Sequence, residues 1–129
     1  MSYTNLIKAL GFAPKENATA IFRKTYANKY SIEIDFDKEK IDYGKLVVIG
    51  NKKVLNFSPA ENWVVLECVD RLLEKGYSPQ NIVLEKVYPT GHGTSGDLDV
   101  LVNDDNGTAY LMIECKTHGA EFEKAAKRL

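Results

Sequence analysis

The stretch Leu98-Asp99-Val100-Leu101-Val102-Asn103-Asp104-Asp105-Asn106-Gly107-Thr108-Ala109-Tyr110-Leu111-Met112-Ile113-Glu114-Cys115-Lys116 reads as two strands around a turn. Asn-Gly between alternating hydrophobic runs is the strongest short hairpin signal, because both central residues of a type I′ turn need positive φ. With Asn106 and Gly107 in those positions, Asp105 pairs with Thr108. Counting back from there, Asp99 faces Glu114 and Asp97 faces Lys116. Directly opposed side chains have Cβ atoms roughly 4.5–5.5 Å apart, and like charges so placed repel. Two opposed carboxylates with a lysine one step along the same face make sense around a cation, with the lysine as general base.

A solvated, salt-bridged sheet face is the competing reading, and Asp97 with Lys116 suits it well. Against it, Leu98, Val100 and Val102 lie beside Leu111, Ile113 and Cys115 on one face, while Leu101 and Met112 make the other apolar too. A strand apolar on both faces is usually covered on both. A carboxylate pair buried there is costly unless a metal or a bound proton neutralises it. Both readings stay open on these residues alone.

Working upstream, 82–88 reads as a strand, followed by a glycine-rich run 89–96 around His92. That run lacks a Gly-Lys-Ser/Thr ending and opens no helix, so it is no P-loop. Ser58-Pro59-Ala60-Glu61 has the form of a capping box with proline at the first helical position, and a helix is expected to Gly76. Glu61 completes that box, or reaches a metal from the helix start. It shares a stripe with Val64, Val65, Cys68 and Leu72, whereas Glu67 falls off it, with Trp63 and Arg71, and is expected at the surface.

The first 57 residues read as an N-terminal extension. A short helix over 4–10 precedes strands over 20–27 and 30–36 around Asn28-Lys29, where Ile32, Ile34 and Phe36 alternate with Glu33 and Asp35. Residues 41–43 and 46–49 extend the pair into a meander. The aromatic residues here could stack on bases, but strand-borne aromatics are far more often core. The remainder, 58–129, orders its elements helix, strand, strand, strand, helix. In the last of these, Phe122, Ala125, Ala126 and Leu129 form an apolar stripe that no stop signal ends, so the chain is expected to be a fragment of a longer polypeptide.

With 129 residues the chain has the length of one small domain. A net charge of −1 supplies no general field to attract nucleic acid, so affinity for DNA must come from a local patch or from attached parts. Cys68 and Cys115 have no Cys or His neighbours at zinc-site spacing, which fits a reducing cytoplasm. No signal peptide or membrane-spanning run is expected. His118, alone at a strand end, would be incidental or a phosphate ligand.

Glu61 on a leading helix, Asp99 on a strand and Glu114-Cys115-Lys116 ending the next strand resemble the PD-(D/E)xK nuclease superfamily. The resemblance is closest over 56–117. Ala60-Glu61-Asn62-Trp63-Val64-Val65, Glu74-Lys75-Gly76-Tyr77, Leu98-Asp99-Val100-Leu101-Val102 and Leu111-Met112-Ile113-Glu114-Cys115-Lys116-Thr117 are similar to the N-terminal nuclease domain of type I restriction enzymes. Similar segments begin fused restriction-modification polypeptides that carry an N6-adenine methyltransferase. Two features depart from the pattern. Leu98 stands where the superfamily name has proline, and the family core continues through a second helix and a further strand, which this chain only begins at Gly119.

The resemblance implies an α/β fold: a restriction-endonuclease-like core with a mixed central sheet over 58–129, an antiparallel β extension over 1–57, and a truncated C-terminal helix. It implies a Mg²⁺-dependent DNA endonuclease, with Mn²⁺ as a substitute. Asp99, Glu114 and the Cys115 carbonyl would hold the ion through oxygen. Lys116 would orient or deprotonate water, and Glu61 would complete the metal environment. Double-stranded DNA is the expected substrate, and methyltransferase, helicase or specificity parts are the expected partners. A repair or recombination nuclease of the same fold, and an inactivated fold used for DNA binding or docking, are the alternatives.

Overall fold

The computed structural model describes residues 3–89 and 95–115, apart from the side chains of 87–89 and 95–97. The fold is mixed α/β, mostly strands, with two four-stranded sheets. The first sheet is an antiparallel meander of β1 (Ala13–Lys15), β2 (Ala18–Thr25), β3 (Ser31–Asp35) and β4 (Lys40–Asp42). Its inner face carries the cross-strand row Phe22, Ile34 and Ile41, all buried. On β3, Glu33 accepts from Arg23 on β2 at 2.9 Å, which satisfies the polar side of the alternation.

The second sheet has the order β5 (Val48–Ile49), β6 (Ile82–Pro89), β7 (Ser95–Asn103) and β8 (Ala109–Ile113). It is mixed, because β5 runs parallel to β6 while the other pairs are antiparallel. The expected meander therefore stops at β4. Val48 pairs instead with Val83, far along the chain. Gly50 permits this approach: its N–H donates to the Leu84 carbonyl at 2.7 Å. A Cβ there would lie 2.9 Å from the Glu85 carbonyl carbon and 3.1 Å from the Leu84 oxygen.

Among the described residues, two α-helices accompany the sheets, α1 (Tyr3–Ala9) and α2 (Glu61–Glu74). The capping box does not form. Ala60 is the N-cap, in helical conformation and with no side-chain cap bond. The Asn62 side chain instead gathers the loop before the helix, donating to the carbonyls of Lys53 at 2.8 Å and Asn56 at 3.0 Å. Trp63, off the expected stripe, is buried as well. Its ring stacks on Tyr3 with centroids 4.2 Å apart, and its indole N–H donates to the Phe57 carbonyl at 2.8 Å. The apolar stripe was too narrow an expectation because α2 is covered on more than one side.

Those covers meet at Asp70, which is 4 % exposed. Its Oδ1 accepts from Lys24 Nζ and from the Tyr26 hydroxyl, each at 2.7 Å, so one carboxylate ties α2 to β2 and to the residue following it. Lys24 also donates to the Leu10 carbonyl at 2.6 Å and pairs with Glu74 at 2.5 Å. Burial disfavours the Lys24 charge, but Asp70 and Glu74 outweigh it and raise its pKa. One continuous core runs from Ile7 and Phe12 through the first sheet and α2 to Ile82, Leu84, Val100 and Val102.

Candidate functional site

The turn between β7 and β8 differs from the expected form. Asp104, not Asp105, pairs with Thr108: the Asp104 N–H donates to the Thr108 carbonyl at 2.8 Å, and the Gly107 N–H to the Asp104 carbonyl at 3.0 Å. Gly107 has φ 82°, which suits a three-residue loop closed by a left-handed residue. Such a loop displaces the register by one residue. A bulge then restores it, since Asn103 pairs with Ala109 but Val102 with Leu111, leaving Tyr110 unpaired. Leu101–Met112 and Val100–Ile113 are the pairs the two-residue turn would have produced. The ladder stops there. Carried one step further, the register sets Asp99 across from Glu114.

Asp99 is half-buried, and its Oδ2 accepts the Cys115 backbone N–H at 2.7 Å. The carboxylate thus holds the chain just beyond β8. Cys115 is buried. The influence of Cys68 on α2, burial, and the negative charges of Asp99 and Glu61 push the Cys115 thiol far up. The influence of Cys115 lowers the Cys68 pKa against the effect of burial, with help from the Arg71 cation. Asp99 and Glu61 are thereby both within electrostatic range of one thiol, although they come from a strand and from a helix start. Tyr43 belongs to the same region: burial raises its pKa, and the charges of Cys115 and Cys68 add to the rise. Its hydroxyl is buried without a hydrogen-bond partner among the described residues.

Glu61 and Glu114 are exposed. Tyr110 and Met112, on the Glu114 side of β8 by alternation, are 64 % and 62 % exposed, whereas Leu101 beside Met112 is buried. The outer face of β8 is therefore not covered as its apolar residues led one to expect. Lys116, His92 and His118, the glycine-rich run 90–94 and the C-terminal stripe 120–129 lie outside the described residues. So does the side chain of Asp97. Among the described residues, no three His, Cys, Asp or Glu groups gather closely enough to hold a metal ion.

Glu85 is the group that sequence reasoning passed over. It lies in the middle of β6 and is 7 % exposed. Its φ of 53° falls in the left-handed region, a conformation that costs a non-glycine residue about 1–2 kcal/mol. The ladder pairs Leu84 with Val100 and Lys86 with Leu98, so Glu85 and Asp99 are the residues left between them. The kink falls where the Gly50 backbone presses on Glu85. A charged residue directly after the apolar run Ile82-Val83-Leu84, in mid-strand, was the available signal.

Among the described residues, no helix is long and apolar enough to cross a membrane. No family model, curated protein or solved structure matches the chain.

Proposed function

We propose that the chain carries the core of a Mg²⁺-dependent DNA endonuclease of the restriction-endonuclease-like fold, belonging to a restriction-modification enzyme. The observation that carries this reading is the hydrogen bond between Asp99 and the Cys115 N–H, which ties one carboxylate to the run Glu114-Cys115-Lys116. The element order α2, β6, β7, β8, with the three strands adjacent in one mixed sheet, supports it.

The donor chemistry fits a hard cation. Mg²⁺ usually takes one or two carboxylates and keeps several waters. Asp99 has its second oxygen for such an ion, Glu114 is exposed and immediately precedes Cys115 in the sequence, and the Cys115 carbonyl adds a neutral oxygen. When bound, the ion acts as a Lewis acid on the phosphoryl group and acidifies water. Asp99 orients the Cys115 backbone, and Lys116 aligns the attacking water and takes its proton. Glu61 holds a further water at the helix start.

Cleavage of supercoiled plasmid by the full-length protein tests the reading. Asp99→Ala, Glu114→Ala and Lys116→Ala should each abolish Mg²⁺-dependent cutting while leaving folding intact. Wild-type cutting by Lys116→Ala would overturn the mechanism. The Asp99–Cys115 bond also serves a purely structural end, which favours a docking module as the second reading. Under that reading neither Mg²⁺ nor Mn²⁺ shifts the melting temperature.

A further inference from the structure

We propose that the outer edge of β8 docks an extended, basic segment of a partner protein, which adds a strand to the second sheet and seats an arginine or lysine side chain in the cleft at the β7–β8 turn. Such docking is independent of the metal reading. β8 ends the order β5, β6, β7, β8, and among the described residues its outer edge pairs with nothing. An edge of this kind presents unpaired N–H and C=O groups, which proteins ordinarily guard with lysine, proline or a covering element. No lysine, arginine or proline occurs from Asn103 to Cys115. The edge instead carries open apolar side chains, with Tyr110 64 % and Met112 62 % exposed.

The cleft lies at the end of the sheet, where the β7–β8 turn meets the turn after α2. It has a volume of about 280 Å³, and Tyr77, Asn81, Asp104, Asp105 and Tyr110 help to line it. Small-molecule pockets run from about 300 to 1,000 Å³, so this one suits a single long side chain. The bulge leaves Tyr110 unpaired with β7, and its ring stands beside Tyr77 with centroids 6.4 Å apart. Both carboxylates are held in place. Asp104 Oδ1 accepts the N–H groups of Asn106 and Thr108, each at 2.9 Å, and Asp105 Oδ1 accepts from the Asn81 amide at 2.9 Å. No cationic side chain is among the described residues that line the cleft.

Charge complementarity selects the occupant. Aromatic faces beside fixed carboxylates favour a guanidinium or ammonium group, which stacks on the ring and donates to the oxygen. A second copy of β8 offers no lysine or arginine between Asn103 and Cys115 to fill the cleft. Strand addition supplies main-chain hydrogen bonds whatever the sequence, and alternate side chains then give specificity. Apolar residues of the partner would lie over Met112, and its cation would enter the cleft beside Tyr110.

The experiment titrates the 129-residue chain into a fluorescent peptide of alternating valine and threonine with arginine at both ends, and follows anisotropy. A control peptide carries glutamate in place of arginine. The arginine peptide should bind, more weakly as salt is raised, and the glutamate peptide should not. Equal binding of the two, or binding of neither, would overturn the proposal. Tyr110→Ala and Asp105→Asn should each weaken binding about tenfold, whereas Tyr110→Phe keeps the ring and should bind like wild type. Wild-type affinity in Tyr110→Ala would overturn the assigned seat. The outward amides of Ala109–Ile113 should exchange quickly in the free chain and slowly with the peptide bound. Binding without that slowing would overturn strand addition. Outward amides already protected in the free monomer, or a dimer in sedimentation that the peptide does not dissociate, would give the edge to the chain itself or to a second copy and overturn the proposal.

Discussion

The Asp99 carboxylate and the Cys115 backbone are joined by a hydrogen bond of 2.7 Å, one residue beyond the point where the β7–β8 ladder gives pairs. A hydrogen bond to a charged group contributes about 1.5–3 kcal/mol. Because Asp99 is only half-buried, Asp99→Ala should fall at the low end of that range. Asp99→Asn retains an acceptor oxygen and should cost less. Both should abolish the response to Mn²⁺, which for wild type at a hundredfold excess over Kd is worth about 2.7 kcal/mol. Thermal denaturation with and without the ion checks all three values. An Asp99→Ala chain that melts like wild type without metal would show that the bond contributes nothing.

Asp70 should be far more sensitive. Removing it leaves Lys24, whose side chain is 12 % exposed, without its main counter-charge, and the Tyr26 hydroxyl without its acceptor. Breaking a buried pair from one side costs about 3–5 kcal/mol. Asp70→Ala should therefore lower stability by that amount in urea denaturation. The double variant Lys24→Met/Asp70→Leu should be less destabilised than the sum of its single changes, since neither partner remains unpaired. Additive effects would show that Lys24 and Asp70 are not coupled.

Stability should fall on the alkaline side. Burial raises the pKa of Tyr26 and Tyr43 above the ordinary 10.0, and Asp70 raises Tyr26 further. Above pH 10 the unfolded phenols lose protons that the folded ones keep, so stability declines as pH rises. Lys24 acts in the same sense above its ordinary 10.5, because its folded pKa is the higher one. All three contributions are fully present below pH 10. Tyr43→Phe should leave stability at neutral pH unchanged or slightly higher, since its hydroxyl has no partner among the described residues to lose. It should also flatten the decline, as melting temperatures from about pH 8 to pH 11 would reveal. A marked loss for Tyr43→Phe at pH 7 would contradict this.

Gly50→Ala should separate β5 from β6. The added methyl would sit 2.9 Å from the Glu85 carbonyl carbon, a backbone atom that cannot rotate away. Overpacking of this kind costs about 1–3 kcal/mol. Denaturant unfolding measures the loss, and faster amide exchange at Gly50, whose N–H donates to Leu84, locates it. A neutral substitution would mean that the two strands adjust without cost.

Much of the secondary structure was legible because its signals are local. Ile32 and Ile34 alternate with Glu33 and Asp35, and both isoleucines are buried on β3. The α2 helix ends where Gly76 takes φ 94°. The register at Leu101–Met112 was also legible, though through two offsetting differences, a longer turn and a bulge at Tyr110. A period of two records which face a strand buries, and the bulge restores that face whatever the turn.

Sequence by itself therefore determined the segments of α1, α2, β2 to β4 and β6 to β8, the β7–β8 register as far as Val100–Ile113, and the candidate residues Asp99, Glu114 and Glu61. Tertiary structure alone decided that β5 joins β6, that Asp70 gathers Lys24 and Tyr26, and that Asn62 replaces Ser58 as the organiser of the α2 start. It alone also left Glu85 kinked and buried against Gly50 and across from Asp99. The physical reason is range. Periodicity and turn chemistry act over a few residues, whereas a buried carboxylate finds its partner only when distant segments pack together.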